Sequence, residues 1–334
     1  MKNNNKRLIS YILLTALLAL TLMGCGNASS GSSSAKAAGN AKVLYIVTDR
    51  NDTFRELLSS SIENAAANQK VALDVVETGD DVAAQVAEVS KAKAAGYGAI
   101  ILRSADPGTA LQMNVASNDI PIVYVNNEPS SSHLEDSKYV YVGSDEMQSG
   151  QYQAEYVLKR LGNPKSLDVI IFEGEAGHSA TIGRTKAVKR TLKENGCNAN
   201  YVFVDYADWS DAEAKTKLGI FMKTGQNVDA IFCNNDSMAL GVIEGMKQYG
   251  LDYNTIPVCG VDATADGCAS IMAGEMAFTV LQDAKNQAAA AVSAAAVMAG
   301  GGSITGIEGA TSDGKYIYVP FVPVDSTNVS QYSG

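Results

Sequence analysis

The chain has 334 residues, of which 36 are acidic and 26 basic, and its formal net charge is −10. An acidic surface repels the phosphate backbone of nucleic acids, and no basic cluster follows Arg7, so a nucleic-acid partner has no electrostatic basis. The five cysteines include no CxxC pair and none of the spacings that zinc sites use.

Residues 1–24 have the order of an export signal. Three basic residues within the first seven precede an apolar stretch that ends at Met23 and is too short and too interrupted for a membrane-spanning helix. Removal of this segment would leave 23 basic and 36 acidic residues, which is a net charge of −13. The pattern predicts that the mature protein lies outside the cytoplasm.

The signal closes with Leu22-Met23-Gly24-Cys25, which resembles the lipobox of bacterial lipoproteins. The resemblance implies cleavage before Cys25, attachment of a diacylglyceryl group to its thiol, and a protein anchored to the bacterial membrane. Two acyl chains give a stable anchor. The alternative is an ordinary signal peptide with an accidental cysteine, which would leave a reactive thiol at the first mature position. Residues 25–40 are mostly Gly, Ser, Ala and Asn, which predicts a flexible linker.

From residue 41 onward, short β-branched segments alternate with longer segments of helical apolar spacing. This alternation predicts βαβ units with right-handed crossovers and a parallel sheet covered on both faces. The first predicted strands are 42–48, 72–77, 99–102 and 122–125, with helices at 54–68, 82–95 and 108–117.

The same pattern continues along the rest of the chain, and its length suits two lobes better than one small sheet. The predicted fold class is α/β, with two doubly wound parallel-sheet lobes joined by a hinge of three chain crossings. The lobes are predicted at 41–127 plus 283–317 and at 128–282 plus 318–334. The later predicted strands are 139–142, 168–172, 201–204, 230–233, 257–261, 278–281 and 316–321.

Several predicted strands end in a polar residue, at the edge where open α/β sheets bind ligands. One such residue alone could be a helix N-cap, and that interpretation is strong for Asp106, Asp145 and Asp236. A series of them favours a binding site. Phe54 and Trp209 add flat apolar faces, and this mixture suits a sugar, whose ring has C–H faces and a hydroxyl rim. The polar strand ends are 49–54, Arg103, 126–128, 173–178, 234–236, Asp262 and Gln282.

Nine motifs occur in a fixed order at 47–54, 98–107, 123–129, 142–145, 174–178, Trp209, 234–241, 260–262 and 279–287. In that order they resemble the periplasmic galactose/glucose-binding proteins of ABC importers over nearly the whole mature chain. The resemblance implies a type I periplasmic binding protein fold with a monosaccharide between the lobes. It implies hydrogen bonds to the sugar from Asp52, His178, Arg184, Asn235 and Asp262, and a ring sandwiched by Phe54 and Trp209.

Three polar positions depart from the family's pattern. Arg103 replaces an asparagine, Ala180 an aspartate and Gln282 another asparagine, so the pocket is predicted to gain donors and lose acceptors. Arg103 leaves two interpretations open, a surface ion pair with Asp106 or a donor fork in the cleft for a carboxylate or two adjacent hydroxyls. A neutral pentose or hexose is the first prediction and a sugar acid the second.

The family's calcium loop also differs here. Its place is taken by residues 162–167, in which only Asn163, Lys165 and Ser166 are polar. Calcium takes six or more oxygen ligands, so no metal is predicted. No cofactor is predicted either.

The predicted function is binding and not catalysis. A secreted hydrolase would need a triad or paired carboxylates, and the sequence has no Gly-x-Ser-x-Gly motif to accompany His178. The closed, monomeric, sugar-bound protein is predicted to dock on an ABC permease in the membrane. Delivery of the ligand to a chemoreceptor or a sensor kinase is the alternative, while the export signal excludes a cytoplasmic repressor of similar fold.

Overall fold

The computed structural model describes residues 42–332, in which strands and helices alternate as the sequence pattern predicts. The strands are β1 Lys42–Val47, β2 Ala72–Glu77, β3 Ala99–Leu102, β4 Ile122–Val125, β5 Tyr139–Gly143, β6 Ser166–Glu173, β7 Asn198–Tyr206, β8 Ala230–Cys233, β9 Val258–Cys259, β10 Thr279–Leu281, β11 Tyr316–Tyr318 and β12 Val322–Val324. The helices are α1 Thr53–Gln69, α2 Val82–Ala92, α3 Ala110–Ala116, α4 Glu146–Arg160, α5 Ser179–Glu194, α6 Asp211–Met222, α7 Asp236–Tyr249, α8 Ala265–Met272 and α9 Ala284–Ala299.

The first lobe is built on one parallel sheet with the strand order β11-β5-β4-β3-β1-β2. Helices α1 and α9 pack together on one face, and α2 and α3 cover the other. The residues of the inner strands β1, β3, β4 and β5 are almost all buried, as their continuous apolar segments predict, whereas the edge strand β2 is partly exposed. Because the strands are parallel and packed between helices, their carboxyl ends lie along the same edge of the sheet.

The second lobe has the parallel order β7-β6-β8-β9 and a short antiparallel pair formed by β10 and β12. Parallel bridges join Cys259 to Phe278 and Asp262 to Leu281, so β10 extends the edge beside β9. Apolar clusters cover both faces of this sheet as well. The two-lobe α/β fold class predicted from the sequence is confirmed.

The chain passes from one sheet to the other after β5, after β10 and after β11. The second and third passages fall at residues 282–283 and 319–321. The first differs from the prediction, which ended the first segment of the first lobe at 127 and gave residues 139–142 to the second lobe. That assignment is wrong, because β5 pairs in parallel with both β4 and β11. Apolar periodicity identifies a strand but not its partner.

The predicted signal peptide at 1–24, the lipidated Cys25 and the linker to residue 40 lie outside the described residues. Across residues 42–332, no helix combines the length and apolar character that a membrane span requires. Four cysteines of this range carry buried free thiols, namely Cys197, Cys233, Cys259 and Cys268.

Candidate functional site

The carboxyl ends of strands from both lobes surround one small pocket. Its free space is about 20 Å³. All nine residues predicted to bind a ligand line it, and their contact with a ligand stays a prediction. The lining residues are Asp52, Phe54, Arg55, Arg103 and Asn126 from the first lobe, with His178, Ala180, Arg184, Trp209, Asn235, Asp262 and Gln282 from the second.

Three of the polar residues are helix N-caps that follow directly after strands or strand-end loops. Oδ1 of Asp52 accepts from the backbone N–H of Arg55 at 2.9 Å, and Oδ1 of Asn235 accepts from that of Met238 at 2.9 Å. Nδ1 of His178 accepts from the N–H of Ala180 at 3.1 Å. Each of these side chains is thereby fixed by the helix that it caps, and each has a second polar atom that takes no part in the capping hydrogen bond.

His178 is held in its neutral form. Burial keeps its pKa well below the usual value, and the charges of Arg103, Arg184 and Arg55 lower it further. Because Nδ1 accepts a hydrogen bond, the proton of the neutral ring resides on Nε2. His178 therefore offers the pocket one N–H donor, and Nδ1 is not available as a catalytic base.

Arg184 donates from all three of its nitrogens to partners of its own lobe. Nε donates to Oε2 of Glu146 at 2.7 Å, Nη2 donates to Oε1 of Gln282 at 2.9 Å, and Nη1 donates to the carbonyl of Asn234. Burial opposes its charge, but Glu146 and Asp262 outweigh burial and raise its pKa. All these partners belong to the second lobe, so the position of the guanidinium does not depend on the first lobe.

Asp262 combines backbone strain with an unused acceptor. Its φ is +119° and that of the next residue, Ala263, is +51°, conformations that non-glycine residues adopt rarely outside functional sites. Its Oδ1 is buried, lies 3.9 Å from Nη1 of Arg184, and accepts no hydrogen bond from the described residues. Burial raises its pKa well above the usual value, with Arg184 opposing. A ligand hydroxyl would give this oxygen its missing donor.

Trp209 is held by close contact with its neighbours. A Cβ at Gly174 would overlap its indole, so the ring lies directly on the glycine backbone. His178 packs edge-on against it, with 5.2 Å between ring centroids. The backbone of Trp209 also has a positive φ of +65°. Phe54, in contrast, is 4% exposed and packs within the first lobe's core as well as lining the pocket.

Arg103 faces the cleft and does not form the surface pair with Asp106. It is 2% exposed, and Nη1 donates to Thr48 Oγ1 at 3.0 Å while Nε donates to Asn126 Oδ1 at 3.3 Å. Asp106 instead caps the short 3₁₀ turn that follows it. Its carboxylate accepts from Gly108 N at 2.8 Å.

Sequence reasoning missed a second arginine of this wall, Arg55. Its Nη1 donates to Asp49 Oδ2 at 3.2 Å and to Thr48 Oγ1 at 3.3 Å. Arg55 is three residues beyond the Asp52 cap, inside α1, where a helical arginine usually faces solvent. Its burial at 8% exposed is a consequence of tertiary packing.

The arrangement offers donors, acceptors and aromatic faces, and its geometry suits binding more than chemistry. Within residues 42–332, no hydroxyl or thiol side chain is hydrogen-bonded to His178, and no cluster of three or more His, Cys, Asp and Glu residues is placed to hold a metal ion. Residues 162–163, at the start of the predicted calcium-free loop, close the end of α4 with backbone bonds of their own. Asn163 N donates to the carbonyl of Leu158 at 2.8 Å.

Comparison with known proteins places this geometry in context. The family model described as periplasmic binding protein domain matches residues 43–303. A Rhizobium meliloti protein provisionally named rhizopine-binding is 30% identical over 288 residues, 85% of this chain and 90% of that protein. The D-galactose/methyl-galactoside binding periplasmic protein of Haemophilus influenzae is 28% identical over 319 residues, 90% of this chain and 95% of that protein.

Solved structures of solute-binding proteins have a similar fold. An ABC transporter solute binding protein from Bacillus halodurans with bound myo-inositol has a TM-score of 0.76 and 27% identity, covering 88% of this chain and 98% of that one. The Caulobacter myo-inositol binding protein has a TM-score of 0.75 and covers 87% of this chain and 95% of that one; at 23% identity it supports the fold alone.

Proposed function

This chain belongs to the periplasmic binding protein domain family, and from that premise we propose that it is an extracytoplasmic sugar-binding protein that delivers its ligand to an ABC importer. The observation that carries the proposal is the pocket, which combines aromatic faces with fixed donors and acceptors from both lobes. A ligand that contacts both lobes stabilises the closed state. The output is a closed shape and not a reaction.

The ligand we propose is a neutral polyhydroxylated six-membered ring, either a hexose of the galactose/glucose type or a cyclic polyol. A relative named for galactose and methyl-galactoside binding and a solved relative with bound myo-inositol support this class. Asp52 and the unpartnered oxygen of Asp262 would accept from ring hydroxyls, while Arg103 and the Nε2–H of His178 would donate to them. A pentose is the alternative, because ribose-binding relatives share the fold family.

Closure and reopening follow from the position of the pocket. Because residues of both lobes line it, we expect the ligand to enter when the lobes separate about the passages after β5, β10 and β11. We expect the closed monomer to dock on the permease subunits of the importer. A chemoreceptor or a sensor kinase would receive the same closed shape.

Thermal-shift screening followed by calorimetry tests the ligand. The panel contains galactose, glucose, myo-inositol, ribose, xylose and galacturonate, and we expect the largest rise in melting temperature from a neutral six-membered ring, since a ligand that binds only the native state stabilises it. A panel in which no sugar or polyol shifts the melting temperature would contradict the proposal, and a preference for ribose or xylose would move it to pentoses.

We further propose that Cys25 carries the lipid that anchors the protein. The support is the Leu22-Met23-Gly24-Cys25 motif behind a basic and apolar segment. Cys25→Ser should abolish incorporation of labelled fatty acid and release the protein from the membrane fraction. Labelling that persists in the variant would refute the assignment.

A further inference from the structure

One carboxylate crosses the cleft to the two first-lobe arginines that line the pocket. Glu175 lies in the loop after β6 of the second lobe, and its Oε1 accepts from Nη2 of Arg55 at 3.4 Å while its Oε2 accepts from Nη2 of Arg103 at 3.3 Å. Both arginines line the pocket. The bridge therefore joins the two lobes at the pocket wall.

The loop that carries Glu175 also carries His178. The backbone N–H of His178 donates to the carbonyl of Glu175 at 3.3 Å, and Gly174 N donates to Oδ1 of Asn234 at 3.1 Å. These bonds restrict how far the Glu175 backbone can shift relative to the pocket. Opening of the cleft must separate its carboxylate from the arginines, since the two sides of the bridge belong to different lobes.

The protein's own carboxylates balance the charge of the two arginines. Arg55 is 3.2 Å from Asp49 Oδ2 and 3.9 Å from Asp52 Oδ1, and Arg103 is 3.5 Å from Asp80 Oδ1. Glu175 adds a fourth carboxylate to this pair of guanidiniums. A ligand carboxylate in the pocket would meet a wall with no uncompensated positive charge and would be repelled by Glu175.

We propose that Glu175 is a specificity-determining residue that clamps the lobes together through Arg55 and Arg103 and thereby selects neutral ligands against acidic ones. This inference rests on the proposed function for its ligand class. The hydroxyl rim of a neutral sugar can use the remaining donors of the arginines while the bridge stays intact. An acidic sugar would compete with Glu175 for the same donors and hold the lobes apart.

The test uses galactose and galacturonate, which differ by a CH₂OH group and a carboxylate at one carbon. Glu175→Gln keeps the side chain's shape and removes its charge. We expect galactose affinity to fall about tenfold and the galactose-to-galacturonate affinity ratio to fall by more than tenfold, because the variant removes a negative charge beside two buried guanidiniums. Glu173→Gln is the matched control, because its side chain contacts neither arginine, and both affinities should stay unchanged.

A second measurement needs no ligand. Trp209 is the only tryptophan of the chain and lies at the cleft, so acrylamide quenching of its fluorescence reports on opening. Glu175→Gln should increase quenching of the ligand-free protein, and Glu173→Gln should not. Unchanged quenching together with an unchanged affinity ratio overturns the role of Glu175 and leaves sugar binding intact. If the native protein binds no sugar, the proposed function fails, and quenching alone decides whether the clamp exists.

Tight binding of galacturonate by the native protein would also overturn the inference. In that case the two arginines would form the site for a ligand carboxylate, and Glu175 would be displaced when the ligand enters.

Discussion

The two walls of the pocket are held in place by different means. On the second lobe, Arg184 is satisfied by residues of its own lobe, and His178 and Asn235 are fixed as helix caps. On the first lobe, Arg55 and Arg103 are completed by a carboxylate from across the cleft. The second wall is therefore preorganised by its own lobe, whereas part of the first wall depends on a contact from the other lobe.

The exposure of the partners separates the walls further. Glu146 and Asp262, beside Arg184, each have about 5% of the side chain exposed, whereas Asp80 and Glu175, beside Arg103, have 64% and 32% exposed. Carboxylates that reach water can be rehydrated when their partner is lost, and buried ones cannot. If the lobes separate as proposed, the carboxylates of the first wall can change partners at a lower cost than those of the second.

Truncation of the two arginines should expose this difference most strongly. Arg184→Ala leaves Glu146 and Asp262 buried without their cation, and we expect a loss of about 3 to 5 kcal/mol in the free energy of unfolding. Arg103→Ala leaves carboxylates that solvent can reach, so its loss should be smaller by about 2 kcal/mol or more. Urea denaturation of the ligand-free variants measures both values.

The control for this pair is Arg190→Ala, on the same helix as Arg184. The Arg190 side chain is 45% exposed and pairs with Glu194 at 3.9 Å, so its removal should change stability by less than about 0.5 kcal/mol. Equal losses for Arg184→Ala and Arg103→Ala would mean that the two walls do not differ in the way described.

The aromatic residues give the next largest effect, this time on affinity. Trp209→Ala removes a ring that the second lobe holds against Gly174, and we expect sugar binding to weaken by about 1 to 3 kcal/mol. Phe54→Leu keeps most of the volume that the first lobe's core requires, so we expect it to lower the free energy of unfolding by less than about 1.5 kcal/mol. It should weaken sugar binding less than Trp209→Ala does. Calorimetry with the best ligand of the panel measures the affinities. Native affinity in both folded variants would place the rings outside the ligand's contacts.

Much of the second wall could be predicted from the sequence because its residues combine two local signals. His178 and Asn235 stand between an apolar strand and a helix, which marks both the carboxyl edge of a sheet and an N-cap. The family resemblance then adds Arg184, which has no local signal of its own. The positions of His178 and Asn235 are set by residues close to them in sequence, so a local sequence pattern is enough to predict them.

The first wall was harder to predict because it depends on contacts distant in sequence. Arg55 is 120 residues from Glu175, and nothing local in α1 distinguishes it from a solvent-facing arginine. The same limitation explains why β5 was assigned to the wrong lobe, since its partners β4 and β11 are decided by sheet pairing. Nonlocal pairing leaves no periodicity in the chain.

A contact between the two lobes beside the pocket should make the free energy of unfolding depend on pH. Glu128, in the loop after β4, donates its backbone N–H to Ser179 Oγ at 2.8 Å across the lobes. Burial, with the charges of Glu146 and Asp145, raises the pKa of its carboxyl to about 7. The folded state therefore binds more protons than the unfolded state between the ordinary glutamate pKa and about 7, so stability falls as the pH rises through that range.

Glu128→Gln isolates this contribution because the amide resembles the protonated acid. The gain in melting temperature of the variant over the native protein should be small at pH 5 and larger at pH 8. Other buried carboxylates contribute the same slope to both proteins and cancel in the difference. A gain that is the same at both pH values would show that the pKa of Glu128 is not raised and that the contact between the lobes does not depend on its charge.

The last prediction concerns the stability of the second lobe, which we expect not to change when metal ions are removed. Gly162 and Asn163 end α4 with positive φ values of +75° and +55°, and Asn163 N–H satisfies the carbonyl of Leu158. The turn is thus closed by its own backbone, and residues 162–167 offer few side-chain oxygens to a cation that takes six or more. EDTA should leave the melting temperature unchanged, both without ligand and with it, and added calcium should have no effect. A fall of several degrees with EDTA that calcium reverses would show that the second wall owes part of its preorganisation to a bound ion and not to the contacts of Arg184 and the helix caps alone.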